Sequence, residues 1–252
     1  INFSSDALNE AISLESDISF DGRIDKTNDT IVTIDGIDAK DFDDAISVKK
    51  LNDDTYLLGV YIADVSHYVK VNSFLDIDSS MRSFSCYLPN GVIPMLPFEL
   101  SNELCSLKPN EFRYALACEM TIKDGILIDS NIFKAVIKSK ARLTYTKVNE
   151  MFEANSIPDE LRMLNDAKEL YEILTEKRHK KGSLDFETKE AKIILNDRLE
   201  AIDVVLNNRG ISEKMIEEFM IICNETVTER IAYLDLPFLY RIHEEPKSEK
   251  IK

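Results

Sequence analysis

Asp35, Asp41, Asp43 and Asp44 fall in one short run, Thr33-Ile34-Asp35-Gly36-Ile37-Asp38-Ala39-Lys40-Asp41-Phe42-Asp43-Asp44-Ala45. Apolar, strand-like segments flank it at 31–34 and 45–48. This run constrains the fold more than any other stretch. Its flanks belong in a core, while carboxylates this dense repel one another. Without a cation, one or more must protonate or stay fully hydrated. Phe42 sits among the acids, where a solvated loop has no use for an aromatic. The β-forming flanks would hold the loop at a sheet edge. A hard oxygen donor set with no His or Cys nearby favours Mg²⁺ or Mn²⁺ over Zn²⁺, which points to phosphate chemistry. An ordinary acidic surface loop is the plain alternative. A calcium-binding helix-loop-helix motif is a poor match, because no Gly stands at the sixth loop position and no Glu closes it at the twelfth.

The 252 residues suffice for one large domain or two small ones, and 44% hydrophobic residues supply a real core. Seven Gly and seven Pro argue against low complexity. No apolar run reaches the roughly 18 residues of a membrane helix, so no membrane association is expected. The start, Ile1-Asn2-Phe3-Ser4, has no signal-peptide pattern. The missing initiator Met and the abrupt Ile251-Lys252 end read as a fragment of a longer protein. Cys86, Cys105, Cys118 and Cys223 are irregularly spaced with no CxxC pair. They read as reduced thiols of a cytoplasmic protein rather than a zinc site. The net charge of −15 makes the chain as a whole a poor nucleic-acid binder.

The order of patterns predicts an α+β fold, a mixed and largely antiparallel sheet with flanking helices. A short helix is expected within 5–16, followed by a polar segment to residue 29. Residues 1–30 read as a lead-in. Strands are expected at 31–34, 45–49 and 56–63, with Asn52-Asp53-Asp54 as a turn. Helices are expected at 73–84 and, more weakly patterned, 97–106. Strands at 113–122 and 126–137 flank the hairpin signal Asp124-Gly125. After Ala141 the pattern turns helical, with a helix over 158–181 ended by Gly182. Strands at 191–195 and 199–206 and a helix over 212–233 follow.

Several further segments are collinear with one family. They include Gly59-Val60-Tyr61-Ile62-Ala63-Asp64-Val65-Ser66-His67-Tyr68, Cys86-Tyr87-Leu88-Pro89, Leu100-Ser101-Asn102-Glu103-Leu104-Cys105-Ser106-Leu107 and Ala141-Arg142-Leu143-Thr144-Tyr145. Val92-Ile93-Pro94-Met95-Leu96-Pro97, Leu184-Asp185-Phe186-Glu187, Glu217-Glu218-Phe219-Met220 and Tyr240-Arg241-Ile242-His243-Glu244-Glu245-Pro246 belong to the same set. With the aspartate run, they resemble the RNB domain, the catalytic domain of the ribonuclease II and ribonuclease R exoribonucleases, with motifs nearer the latter. The resemblance implies that 31–252 is the N-terminal larger part of an RNB catalytic domain. It implies a metal-dependent 3′-to-5′ hydrolytic exoribonuclease releasing nucleoside 5′-monophosphates. Asp35, Asp41, Asp43 and Asp44 would form the catalytic metal centre for Mg²⁺ or Mn²⁺. Tyr87 and Phe186 would hold the bases of single-stranded or 3′-tailed structured RNA. Flanking oligonucleotide-binding domains of a monomeric parent would add RNA affinity.

The resemblance also implies a later segment that brings an arginine to the scissile phosphate; it has no match here, so weak activity of the fragment alone is expected. His67 and His243 are assigned structural roles. Arg142 could face phosphate or pair with a carboxylate. The basic cluster Lys177–Lys181 could touch RNA or simply end a helix. The alternative function is a non-catalytic RNA-binding or scaffolding relative that keeps the fold.

Overall fold

Alternating and continuous apolar runs build the sheet that carries the acid loop. The computed structural model describes residues 2–183, 190–207 and 209–242. In chain order the first half comprises α1 (Ser5–Ser13), β1 (Ile24–Lys26), β2 (Val32–Asp35), β3 (Asp44–Asn52), β4 (Thr55–Ala63), α2 (Val65–Tyr68), α3 (Phe74–Arg82), β5 (Cys86–Leu88) and β6 (Gly91–Ile93). A wide helical turn, Glu99–Leu104, follows where a helix over 97–106 was expected. The second half comprises β7 (Phe112–Lys123), β8 (Ile126–Lys138), β9 (Ala141–Thr144), α4 (Tyr145–Glu153), α5 (Met163–Lys180), β10 (Glu190–Leu195), β11 (Ala201–Asn207) and α6 (Ile211–Tyr233).

Seven strands form one sheet in the order β1-β8-β7-β4-β3-β2-β9. Its interior pairs are antiparallel, while β1–β8 and β2–β9 at the two edges are parallel. Both faces are covered, which explains why β4 is apolar almost throughout. On one face Val32, Ile34, Ile46, Val48, Leu58, Val60 and Met120 pack with Val148, Leu164, Leu170 and Phe219 of α4, α5 and α6. On the other face the small residues Ala45, Ala63, Ala115 and Ala117 leave room for Ala7 and Ala11 of α1, Leu75 of α3 and Leu100.

The expected hairpin turn at Asp124-Gly125 forms, with φ of 48° and 65°. Gly182 ends α5 at φ 97°, and the Ser183 N–H reaches back to the Arg178 carbonyl at 3.2 Å, as a left-handed helix cap requires. Four short strands lie where the sequence showed none: β1, β9 at the start of the expected helical region, and the two strands of the β5–β6 hairpin. Phe186 and His243 lie outside the described residues.

Candidate catalytic site

The acid loop joins β2 to β3, so Asp35 ends one strand and Asp44 begins the next. Their position follows from the sheet: Asp35 pairs with Thr144 of β9, and Asp44 with Ile62 of β4. Between them the loop is pinned from beneath. The fully buried Ser106 hydroxyl donates to the Lys40 carbonyl at 2.9 Å and accepts from the Phe42 N–H at 3.1 Å. The Leu107 N–H donates to the Phe42 carbonyl at 2.8 Å, and the Ala63 N–H to the Asp43 carbonyl at 2.9 Å. Phe42 packs against the alanine-rich core, which accounts for an aromatic among acids.

Arg142, on β9, donates through Nη2 to the carbonyls of Gly36 and Ile37 at 2.8 and 2.9 Å. Its guanidinium lies 5.4 Å from the Phe42 ring centre. It therefore braces the loop backbone. Its charge also favours the ionised form of Asp35.

The carboxylates are electrostatically frustrated. Burial, then the charges of Asp44 and Asp43, push Asp35 up to about 7, against the lesser opposing pull of Arg142. Asp43 is accessible at the surface yet crowded; desolvation, then Asp41 and Asp44, raise it to about 6. Burial also raises Asp44. The buried Oδ2 of Asp35 has no hydrogen-bond partner. Such a group is costly unless a cation or proton satisfies it. Among the described residues no three His, Cys, Asp or Glu side chains close into a ligand cluster. The oxygen-only donors and the orphaned Asp35 oxygen are nonetheless what a hard divalent cation would fit.

Tyr87 comes to the same place from the β5–β6 hairpin. Its hydroxyl donates to Asp41 Oδ2 at 2.8 Å, while its side chain stays 64% exposed. The hydrogen bond to Asp41, with desolvation, pushes the phenol up to about 12. Beside it opens a cavity of about 770 Å³, lined by Asp41, Tyr87, Val92, Phe98 and Asn102. A smaller cavity of about 250 Å³ reaches Asp41, Asp43 and Tyr87.

His67 does not join the acids. Its Nδ1 lies 3.3 Å from Arg23, its ring lies against Tyr114, and Arg23 makes a buried 2.6 Å ion pair with Asp64. Sequence reasoning passed over Ser106 and Tyr87's bond to Asp41. The Pro89-Asn90-Gly91 turn signal was the available clue to the hairpin that brings Tyr87 in.

Residues 23–252 match the RNB domain, and the chain belongs to that family. Ribonuclease R of Thermotoga maritima is 52% identical over 236 residues, covering 91% of this chain and 33% of its own length. Ribonuclease R 1 of Lactococcus lactis is 44% identical, covering 92% of this chain and 29% of its own length. The chain thus spans about a third of the length of these curated relatives. Mycoplasma genitalium RNase R, solved with ribose methylated single-stranded RNA and with double-stranded RNA, superposes at TM-score 0.92 and 33% identity. Those matches cover 100% of this chain and 40% and 46% of the solved chains.

Proposed function

We propose that this chain carries the cleavage centre of a 3′-to-5′ exoribonuclease that hydrolyses RNA and releases nucleoside 5′-monophosphates. The observation that carries the reading is the desolvated acid loop with Tyr87 hydrogen-bonded to one of its members at the edge of an open cavity. Family membership and the likeness to Ribonuclease R relatives support it. Mg²⁺, or Mn²⁺ in its place, held by Asp35, Asp41, Asp43 and Asp44, would supply charge relief at the phosphate and an activated water.

The chain's own residues set the geometry. The strands β2 and β3 fix the outer two acids, and Ser106 and Arg142 hold the loop between them. Tyr87 offers an open ring face while its hydroxyl is tied to Asp41. A base stacked there is therefore held at a fixed offset from the carboxylates, which orients the adjoining phosphate. The substrate in this reading is single-stranded RNA or the 3′ tail of a structured RNA. Flanking oligonucleotide-binding domains of a monomeric parent would lend affinity. A cytoplasmic setting accords with the four free thiols.

The test is an assay of the full-length protein on a 3′-tailed RNA with Mg²⁺, then with EDTA, and with Asp43→Asn. Stepwise shortening with mononucleotide release, abolished by either change, is expected. RNA binding without any Mg²⁺-dependent cleavage would instead favour the scaffolding alternative.

A further inference from the structure

The cavity beside Tyr87 has a second aromatic wall. Phe98 precedes the wide turn Glu99–Leu104 and is 51% exposed. It borders two spaces: the cavity of about 770 Å³ shared with Tyr87 and Asp41, and one of about 490 Å³ lined also by Phe42, Glu99 and the ion-paired Lys108 and Glu103. Asn102 and Lys40 border both as well. The smaller cavity that touches Asp43 includes Tyr87 but not Phe98. Moving outward from the acids, Tyr87 therefore comes first and Phe98 second.

Two polar groups beside Phe98, Asn102 and Lys40, present donors to a ligand. The Ser101 hydroxyl makes its shorter contact, 2.9 Å, with Asn102 Oδ1, ahead of 3.4 Å to the Pro97 carbonyl. That contact occupies the amide's acceptor and leaves its two N–H donors without an acceptor among the described residues. Lys40 is exposed and has no carboxylate partner among the described residues, although its own carbonyl is held by Ser106. An aromatic face accepts any base. Two amide donors meet an acceptor that every base offers on its edge. A lysine suits the phosphate.

We propose that Phe98, Asn102 and Lys40 form a second nucleotide subsite, one step outward from Tyr87. It holds a base by its face on Phe98 and by its acceptor edge on Asn102, without regard to sequence. The inference rests on reading the cavity as the RNA site.

The experiment uses the full-length protein with Asp43→Asn to block cleavage, in Mg²⁺ buffer. Affinities for UMP, a uridine trinucleotide and a uridine pentanucleotide are measured by competition against a fluorescent oligonucleotide. Phe98→Ala and Asn102→Asp should each weaken the tri- and pentanucleotide by about tenfold. UMP binding should stay unchanged, and Phe98→Tyr should retain parental affinity for every length. Tyr87→Ala should weaken all three ligands. If Tyr87→Ala weakens binding but Phe98→Ala and Asn102→Asp do not, the subsite is overturned and the RNA reading stands. If none of the three matters, both are overturned. Equal losses for UMP and the trinucleotide in Phe98→Ala would mean general damage and would also overturn the subsite.

Discussion

The acid loop carries a local charge conflict whose sign can be worked out. Asp35 and Asp43 titrate near 7 and 6 in the folded chain, above the ordinary 3.8. Raised carboxyls keep their protons longer when folded. Their contribution to stability is present below the ordinary value and is lost as pH rises through about 7. The metal-free chain should therefore lose stability between about pH 4 and pH 7 from these groups. Asp35→Asn should raise its melting temperature at pH 8 in EDTA. Added Mg²⁺ or Mn²⁺ should offset the loss in the parent, more at pH 8 than at pH 5.5, because the ion binds the ionised form. Equal stabilisation at both pH values would count against the assignment.

Asp64 has the opposite sign. Burial pushes it up, but hydrogen bonds from Arg23 and Ser66 outweigh that and hold it below 3.8. Its contribution is present above that value and lost as pH falls through the lower folded value. Asp64→Asn strands the buried Arg23, so unfolding at pH 7 should become easier by about 3–5 kcal/mol. Denaturant titration checks this, and Mg²⁺ binding by the folded fraction should persist.

At the scale of elements, what the sequence made legible was what periodicity controls. The strands around the acid loop, the Asp124-Gly125 hairpin, α5 with its Gly182 cap, and α6 all follow from local pattern. The strand β1 has three residues, two of them charged, and is held by parallel pairing with β8 and by the ion pair of Lys26 with Glu119 on β7; nothing in its own sequence forces it. The strand β9 escaped for the same reason, since four residues ahead of a helix read as the helix's approach. Within the site, the density of acids was visible, but the clasp was not. Ser106 lies 66 residues from Lys40 along the chain, and no spacing rule connects them. That clasp makes a prediction of its own. Ser106→Ala removes both hydrogen bonds to the loop, which should cost about 1–3 kcal/mol. It should also weaken the Mg²⁺-induced rise in melting temperature, because the carboxylates lose their common footing. Unchanged cation stabilisation in Ser106→Ala would show that the strands alone position the acids.

For the whole molecule, charge and size bear differently on the two tasks that the proposed function requires, cation binding and RNA capture. All four acids of the proposed centre lie within the 252 residues, yet the chain's net charge of −15 repels phosphate at long range. The relatives it matches are about three times as long, which leaves room for RNA-gripping parts elsewhere in such proteins. Cation binding and RNA capture should then be separable in the purified chain. Mn²⁺ or Mg²⁺ should raise its melting temperature, while its affinity for a single-stranded RNA should fall well below that of the full-length protein at equal Mg²⁺ and salt. The salt dependence tells which groups touch the RNA. Binding through a few lysines such as Lys40 gives a shallow decline of log affinity with log salt, of slope about −0.7 for each phosphate contacted. The full-length protein should show the steeper slope. A chain of 252 residues that bound and degraded RNA as well as the full-length protein, with an equally steep slope, would place the electrostatic grip inside this domain. The acidic surface would then have to be interrupted by a basic track that its overall charge conceals.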